Sequence, residues 1–288
     1  MDWTPGGMSS DVEDRRGSSG GGFRMGGGGG LGIIGFIFLL IISLVTGRNY
    51  IGSYLSGGGH VATSSNQPVQ SSPAEQRSAQ LVSFVLDDVQ KTWDTVLPEQ
   101  TGKPYRHAHL VLFRDYTQSN CGVAQSQTGP FYCPADEKVY IDLSFWDELR
   151  RLGGSSGEFA QAYVVAHELG HHVQNILGIE RQMRQLAQRN PSQQNPLSVR
   201  LELQADCFAG VWAHSAAQRG IVHEEDVNDG LKAAAAVGDD HIQKMSRGAV
   251  SPESFTHGTS AQRQQWFMRG LQSGDINQCN TFQAAGSF

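Results

Sequence analysis

Ala162 to Val173 reads AYVVAHELGHHV. Helical spacing sets His167 and His171 one turn apart on a single face. Two imidazoles so placed can hold one Zn2+ through nitrogen. Glu168 directly follows the first of them and can accept a proton from a water on the metal. Tyr163, Val164 and Val165 make the preceding turn apolar, so this helix belongs in a core. Two histidines and a glutamate are costly there without partners, and a metal would provide them. His172 points about 100° away and reads as a supporting or structural group.

A catalytic zinc needs a third protein ligand and one open position. Downstream, Leu201 to Phe208 reads LELQADCF. Glu202 and Asp206 are again four apart, on a second helical pattern. Glu202 can serve as the ligand. Asp206, one turn on, can accept the free ring N–H of a ligand histidine and fix its tautomer. The alternative is two ordinary helix-surface acids, but Leu201, Leu203, Ala205 and Phe208 crowd them with apolar neighbours. His214, two turns further along, reads as structural.

Working outward, helical periodicity covers Ala79 to Val96, Phe145 to Leu152, Glu158 to Leu177, Leu197 to Gln218, Glu225 to Lys244 and Ser260 to Leu271. His109 to Phe113 and Lys138 to Leu143 read as strands, with a loop holding Cys121 and Gly122 between them. The expected fold class is α+β: a mostly helical domain with a small antiparallel sheet ahead of the central helix. Lys138 to Leu143 is the expected edge strand for an extended substrate. Tyr140 within it reads as a core or sheet-surface residue.

Residues 1–30 are rich in Gly, Ser, Asp and Arg and read as a disordered tail. Leu31 to Val45 (LGIIGFIFLLIISLV) carries no charge, and with its flanks it reaches about twenty residues, enough to cross a bilayer. The expected organisation is a tail over 1–30, a transmembrane helix over 31–47, a Gly/Ser/Pro/Gln linker over 48–78 and one folded domain over 79–288. Arg15, Arg16 and Arg24 precede the span and Arg48 alone follows it. The positive-inside rule then puts the N-terminus in the cytoplasm and the domain outside a bacterial cell membrane.

The net charge of −6 gives no reason to expect nucleic-acid binding. Oligomeric state leaves no trace in the sequence. The four cysteines, Cys121, Cys133, Cys207 and Cys279, suggest disulfides in an exported domain. Close spacing favours Cys121 with Cys133, which leaves Cys207 with Cys279, although three pairings are open.

Four segments carry a family resemblance: GPFYCP at Gly129 to Pro134, HELGHH at His167 to His172, ELQADC at Glu202 to Cys207 and FTHGTSAQR at Phe255 to Arg263. HExxH followed by ExxxD resembles the gluzincin pattern. The whole set more closely resembles the bacterial neutral zinc metallopeptidases, over most of residues 79–288. The resemblance implies a zincin-like fold, Zn2+ on His167, His171 and Glu202, and Glu168 as general base. His257 and Arg263 also resemble the His-x5-Arg element of membrane-linked gluzincins such as the CAAX-type proteases. That implies a His257 near the metal or a developing oxyanion. The alternative is that a helix starts at Thr256 and that Arg263 is structural.

The expected function is a membrane-anchored zinc endopeptidase acting on peptides or proteins. Its rivals are a catalytically inactive zinc scaffold, closed by a fourth protein ligand, and a metal-free envelope domain.

Overall fold

Ser72 starts the first long helix, α1 (Pro73–Thr101): its hydroxyl accepts the Glu75 N–H at 3.1 Å, Pro73 occupies the first turn, and Gly102 ends the helix in a left-handed conformation. This is a computed structural model, and it describes residues 1–17 and 71–282. Helix α1 begins six residues before Ala79, inside the stretch expected to be linker. Ser72 is the cap and Pro73 to Gln76 the first turn, residue types that linker composition conceals.

After α1 come strand β2 (His109–Phe113), the hairpin β3 (Tyr116–Ser119) and β4 (Gly122–Gln125), then β5 (Phe131–Cys133) and β6 (Lys138–Asp142). Strand β1 (Val12–Asp14) precedes them all. The helices continue with α2 (Phe145–Arg151), α3 (Glu158–Leu177), α4 (Ile179–Arg189) and α5 (Gln194–Gln218). The last three are α6 (Glu224–Ala236), α7 (Asp239–Arg247) and α8 (Ser260–Ser273). The α+β expectation holds. The single helix expected over Glu225 to Lys244 is two, because the chain turns at Val237-Gly238 and Asp239 opens a new helix. Helix α4 and the β3–β4 hairpin are elements the periodicity missed.

The larger sheet has the order β1-β2-β6-β5. β2 runs parallel to both β1 and β6, and only β5 is antiparallel to its neighbour β6. The sheet is therefore mixed, not antiparallel as expected. Nor is Lys138 to Leu143 an edge: β6 is paired on both sides, and β5 is the edge strand nearer α3.

The tail is the largest departure. Residues 1–17 are an integral part of the fold rather than disordered. Val12, Glu13 and Asp14 pair with Leu110, Val111 and Leu112. Ser9 N–H donates to Ser83 Oγ at 2.8 Å, Gln90 donates to Asp11 at 3.0 Å, and Arg16 pairs with Glu75 at 3.2 Å. The Met1 ammonium, buried, meets Asp226 at 2.5 Å. A three-residue strand is too short to announce itself by alternation; its partners on the domain make it stable. Among the described residues no helix is long and apolar enough to cross a membrane. The expected span, 31–47, lies outside the described residues.

Helix α3 runs through the main core, packed by α1, α5 and α6. Two close crossings fix its surroundings. A Cβ on Gly170 would stand 3.0 Å from the Ala205 carbonyl oxygen, so α3 and α5 touch backbone to backbone at this glycine. Gly210 and Gly270 do the same for α5 and α8, where an added methyl group would collide with the facing backbone. Small residues at crossings let helix axes approach below the usual separation. The disulfides Cys207–Cys279 and Cys121–Cys133 then tie α5 to the C-terminal turn and the hairpin to β5. Both pairs match the spacing-based reading.

Candidate metal centre

The Gly170–Ala205 crossing brings the two sequence motifs face to face. His167, His171 and Glu202 offer one ligand atom each, all within 4.8 Å of one another. His167 Nε2 lies 3.2 Å from Glu202 Oε2, and His171 Nε2 lies 3.6 Å from Glu202 Oε1. The other nitrogen of each ring is engaged elsewhere. His167 Nδ1 faces Asp206 Oδ1 at 2.9 Å, and His171 Nδ1 faces Gln174 Oε1 at 2.9 Å. An Nδ1–H donated to each oxygen leaves the Nε2 lone pairs turned toward Glu202. Two such imidazoles and a carboxylate are a donor set that fits Zn2+. Among the described residues no fourth His, Cys, Asp or Glu joins the group.

Asp206 is the hub behind His167. It is fully buried and accepts from Tyr163 Oη–H, from Arg263 Nε at 2.8 Å and from Arg263 Nη2 at 2.9 Å. Burial alone would raise its pKa, but Arg263 and then His167 hold it below the usual carboxylate range. For Glu202 burial also pushes upward, and His171 and His167 outweigh it. Burial pushes His167 down, yet Asp206 and Glu202 lift it to about 9. The pocket is thus built for positive charge at Nε2, which a divalent ion satisfies as well as a proton.

Glu168 is buried beside these groups, and its carboxylate accepts no hydrogen bond among the described residues. Burial raises its carboxyl, and His167 and His171 only partly offset that. A carboxylate so placed is free to engage a water.

His257 lies in the loop between α7 and α8. Phe255 packs on Val199 and Leu203 of α5, which sets this loop beside Glu202. His257 Nδ1 is 3.0 Å from Thr256 Oγ1 and 3.3 Å from Asp239 Oδ1. No helix starts at Thr256: α8 begins at Ser260, capped by reciprocal bonds between Thr259 and Gln262. Arg263, on the first turns of α8, bonds to Asp206 and to Tyr163 Oη, and its Nη2 stands 3.4 Å from His167 Nδ1, the ring nitrogen turned away from Glu202.

The remaining candidates are structural. His172 is fully buried between Tyr132 Oη at 2.9 Å and the Arg106 carbonyl at 2.7 Å. His214 Nδ1–H donates to Leu271 O at 2.8 Å, and its Nε2 accepts from Gln218 Nε2 at 2.9 Å. Tyr140 is buried, bonded to Asp136 and stacked on Phe131. Three residues escaped the sequence reading. Tyr163 precedes His167 by four residues and Gln174 follows His171 by three residues, so both had a spacing signal. Asp239 had none.

A model of the family described as "Putative neutral zinc metallopeptidase" matches residues 1–282. Over 291 residues the chain is 49% identical to "Uncharacterized protein YpfJ" of Escherichia coli strain K12, covering 98% of this chain and 99% of that one. Over 210 residues it is 45% identical to "Uncharacterized protein Rv2575" of Mycobacterium tuberculosis strain H37Rv, 69% of each. No solved structure matches the chain.

Proposed function

The chain belongs to the family of neutral zinc metallopeptidases, and from that premise we propose that it is a zinc-dependent endopeptidase acting through Glu168. The observation that carries the reading is the three-donor cluster: two Nε2 atoms and one carboxylate converge, with no fourth donor among the described residues. A structural zinc would need that fourth ligand.

Zinc bound here supplies Lewis-acid polarisation to a water and to a scissile carbonyl. Glu168 takes the proton of the attacking water and passes it to the leaving amine. Asp206, clamped by Arg263 and Tyr163, holds His167 in the tautomer that ligation needs. His257 offers its Nε2 to the negative charge that develops on the carbonyl oxygen. An extended peptide has β5 as its nearest open strand edge, and the small sheet before α3 supports a zincin-like architecture.

Association of Leu31 to Val45 with a membrane is part of the same proposal, without the single crossing expected of it, since one crossing would part β1 from β2. Two disulfides support an oxidising compartment. The pairing of β1 with β2 supports a tail on the same side as the domain, and the expected N-terminus across the membrane does not fit it.

Replacement of Glu168 by Gln tests the chemistry. The variant is expected to keep one zinc per chain and to lose about 10²–10⁴-fold in hydrolysis of a denatured protein. Cleavage at the wild-type rate by zinc-loaded Glu168→Gln would overturn it.

A further inference from the structure

We propose that Asp239 is a positioning residue for His257, gathering the Thr256–Gly258 loop and setting the imidazole with Nδ1 inward and Nε2 toward the metal centre. The role given to His257 rests on the peptidase reading; the orientation by Asp239 does not.

Asp239 is buried at the start of α7, with 1% of its surface exposed. A buried carboxylate is costly unless its oxygens are met. Here they are met almost entirely by one loop. Oδ2 accepts the backbone N–H groups of Thr256, His257 and Gly258 at 2.7, 2.6 and 3.0 Å. Oδ1 faces His257 Nδ1. Three consecutive amides converging on one oxygen fix the backbone, and the second oxygen, 3.3 Å from Nδ1, holds the ring together with Thr256 Oγ1 at 3.0 Å.

The loop gains its place by close approach to α5. Gly258 has φ +87°, and a Cβ there would stand 3.2 Å from Val199 and 3.3 Å from Leu203. Val199 is one turn before Glu202 and Leu203 is next to it, so the held loop flanks the carboxylate of the cluster. The charge of His257 is one of the influences that hold the Glu202 pKa down.

Asp240 acts on the neighbouring segment. Its Oδ1 accepts Ser260 N–H at 2.7 Å and Ser260 Oγ–H at 3.0 Å. Ser260 opens α8, which carries Arg263 to Asp206. The dipeptide Asp239-Asp240 therefore sets His257 on one side of the site and the clamp of Asp206 on the other.

The test uses the full chain loaded with zinc. In Asp239→Asn, zinc stoichiometry is expected to stay at one per chain. The ring 15N shifts of His257, assigned by their loss in His257→Gln, are expected to move. With a peptide substrate, kcat is expected to fall about 10–100-fold, the usual cost of losing an outer-shell partner, with KM changed less than about threefold. Asp239→Asn combined with His257→Gln is expected to be no slower than His257→Gln alone. Asp239→Ser is the second variant: its hydroxyl can still accept a loop amide but has no second oxygen for Nδ1, and it is expected to shift the His257 signals too.

Unchanged His257 signals in both variants would overturn the proposal, as would additive losses in the double variant. Should the wild-type chain cleave no peptide, the peptidase reading fails while the 15N arm still decides the role of Asp239.

Discussion

His167 Nδ1 and Asp206 Oδ1 stand 2.9 Å apart, and this pair decides which nitrogen of His167 faces Glu202. Asp206 is in turn held by Arg263 and Tyr163, so the tautomer is set by a chain of buried partners. Asp206→Asn is expected to weaken zinc binding about 10–100-fold, read by competition with a chelator. Arg263→Ala is expected to cost about 3–5 kcal/mol in unfolding free energy, because it leaves Asp206 buried and short of its countercharge. A zinc affinity unchanged in Asp206→Asn would remove Asp206 from this role.

Gly170 sits between the two ligand histidines of the α3 turn yet binds nothing. Its function is to let the backbone of Ala205 come close. Gly170→Ala is expected to destabilise by about 1–3 kcal/mol in urea titration, through overpacking. It is also expected to weaken zinc binding, since the helix axes must separate and carry Glu202 away from the imidazoles. Wild-type zinc affinity in this variant would mean that the crossing distance does not govern the site.

His107 links the tail to the domain: Nδ1 is 2.9 Å from Asp11, and Nε2 is 3.0 Å from Asp94. Burial lowers its pKa, but Asp94 and Asp11 raise it above the ordinary 6.5 by more. A folded-state pKa above the unfolded one adds stability that is complete below pH 6.5 and is lost as pH rises through the folded value. Amide exchange over residues 9–14 is therefore expected to quicken across that window in the wild type beyond any change in His107→Gln. Identical pH profiles for the two proteins would count against the link. The imidazole is about half exposed, so the effect is modest.

Strand β1 pairs with strand β2 in one sheet, and residues 1–17 are on that account expected on the same side of any membrane as the domain. Single cysteines introduced at exposed Thr4 and exposed Ser192 are expected to react alike with a membrane-impermeant maleimide on intact cells. Labelling of Ser192→Cys but not of Thr4→Cys until lysis would show the tail on the other side.

Much of the centre was legible because it is local. The four-residue spacing of His167 to His171 and of Glu202 to Asp206 follows from helix geometry alone, and α3 has the ends its pattern predicts. Proximity in the chain pointed to Cys121–Cys133, and Cys207–Cys279, 72 residues apart, was the pair left over. The tail strand was illegible because Val12 to Asp14 holds too few residues for a period, and its stability comes from β2, about a hundred positions away. The break at Val237-Gly238 was hidden by the Ala-rich run before it, and its cause is a loop twenty residues on.

By itself, then, the sequence determined which side chains share a helix face and which helices must be buried, since rise and turn per residue are properties of the backbone. Only the tertiary structure decided that the two faces meet at Gly170 and Ala205, that Tyr163 and Arg263 converge on Asp206, and that Asp239 holds His257. Those relations depend on how closely separate helices can approach, and no distance along the chain encodes that.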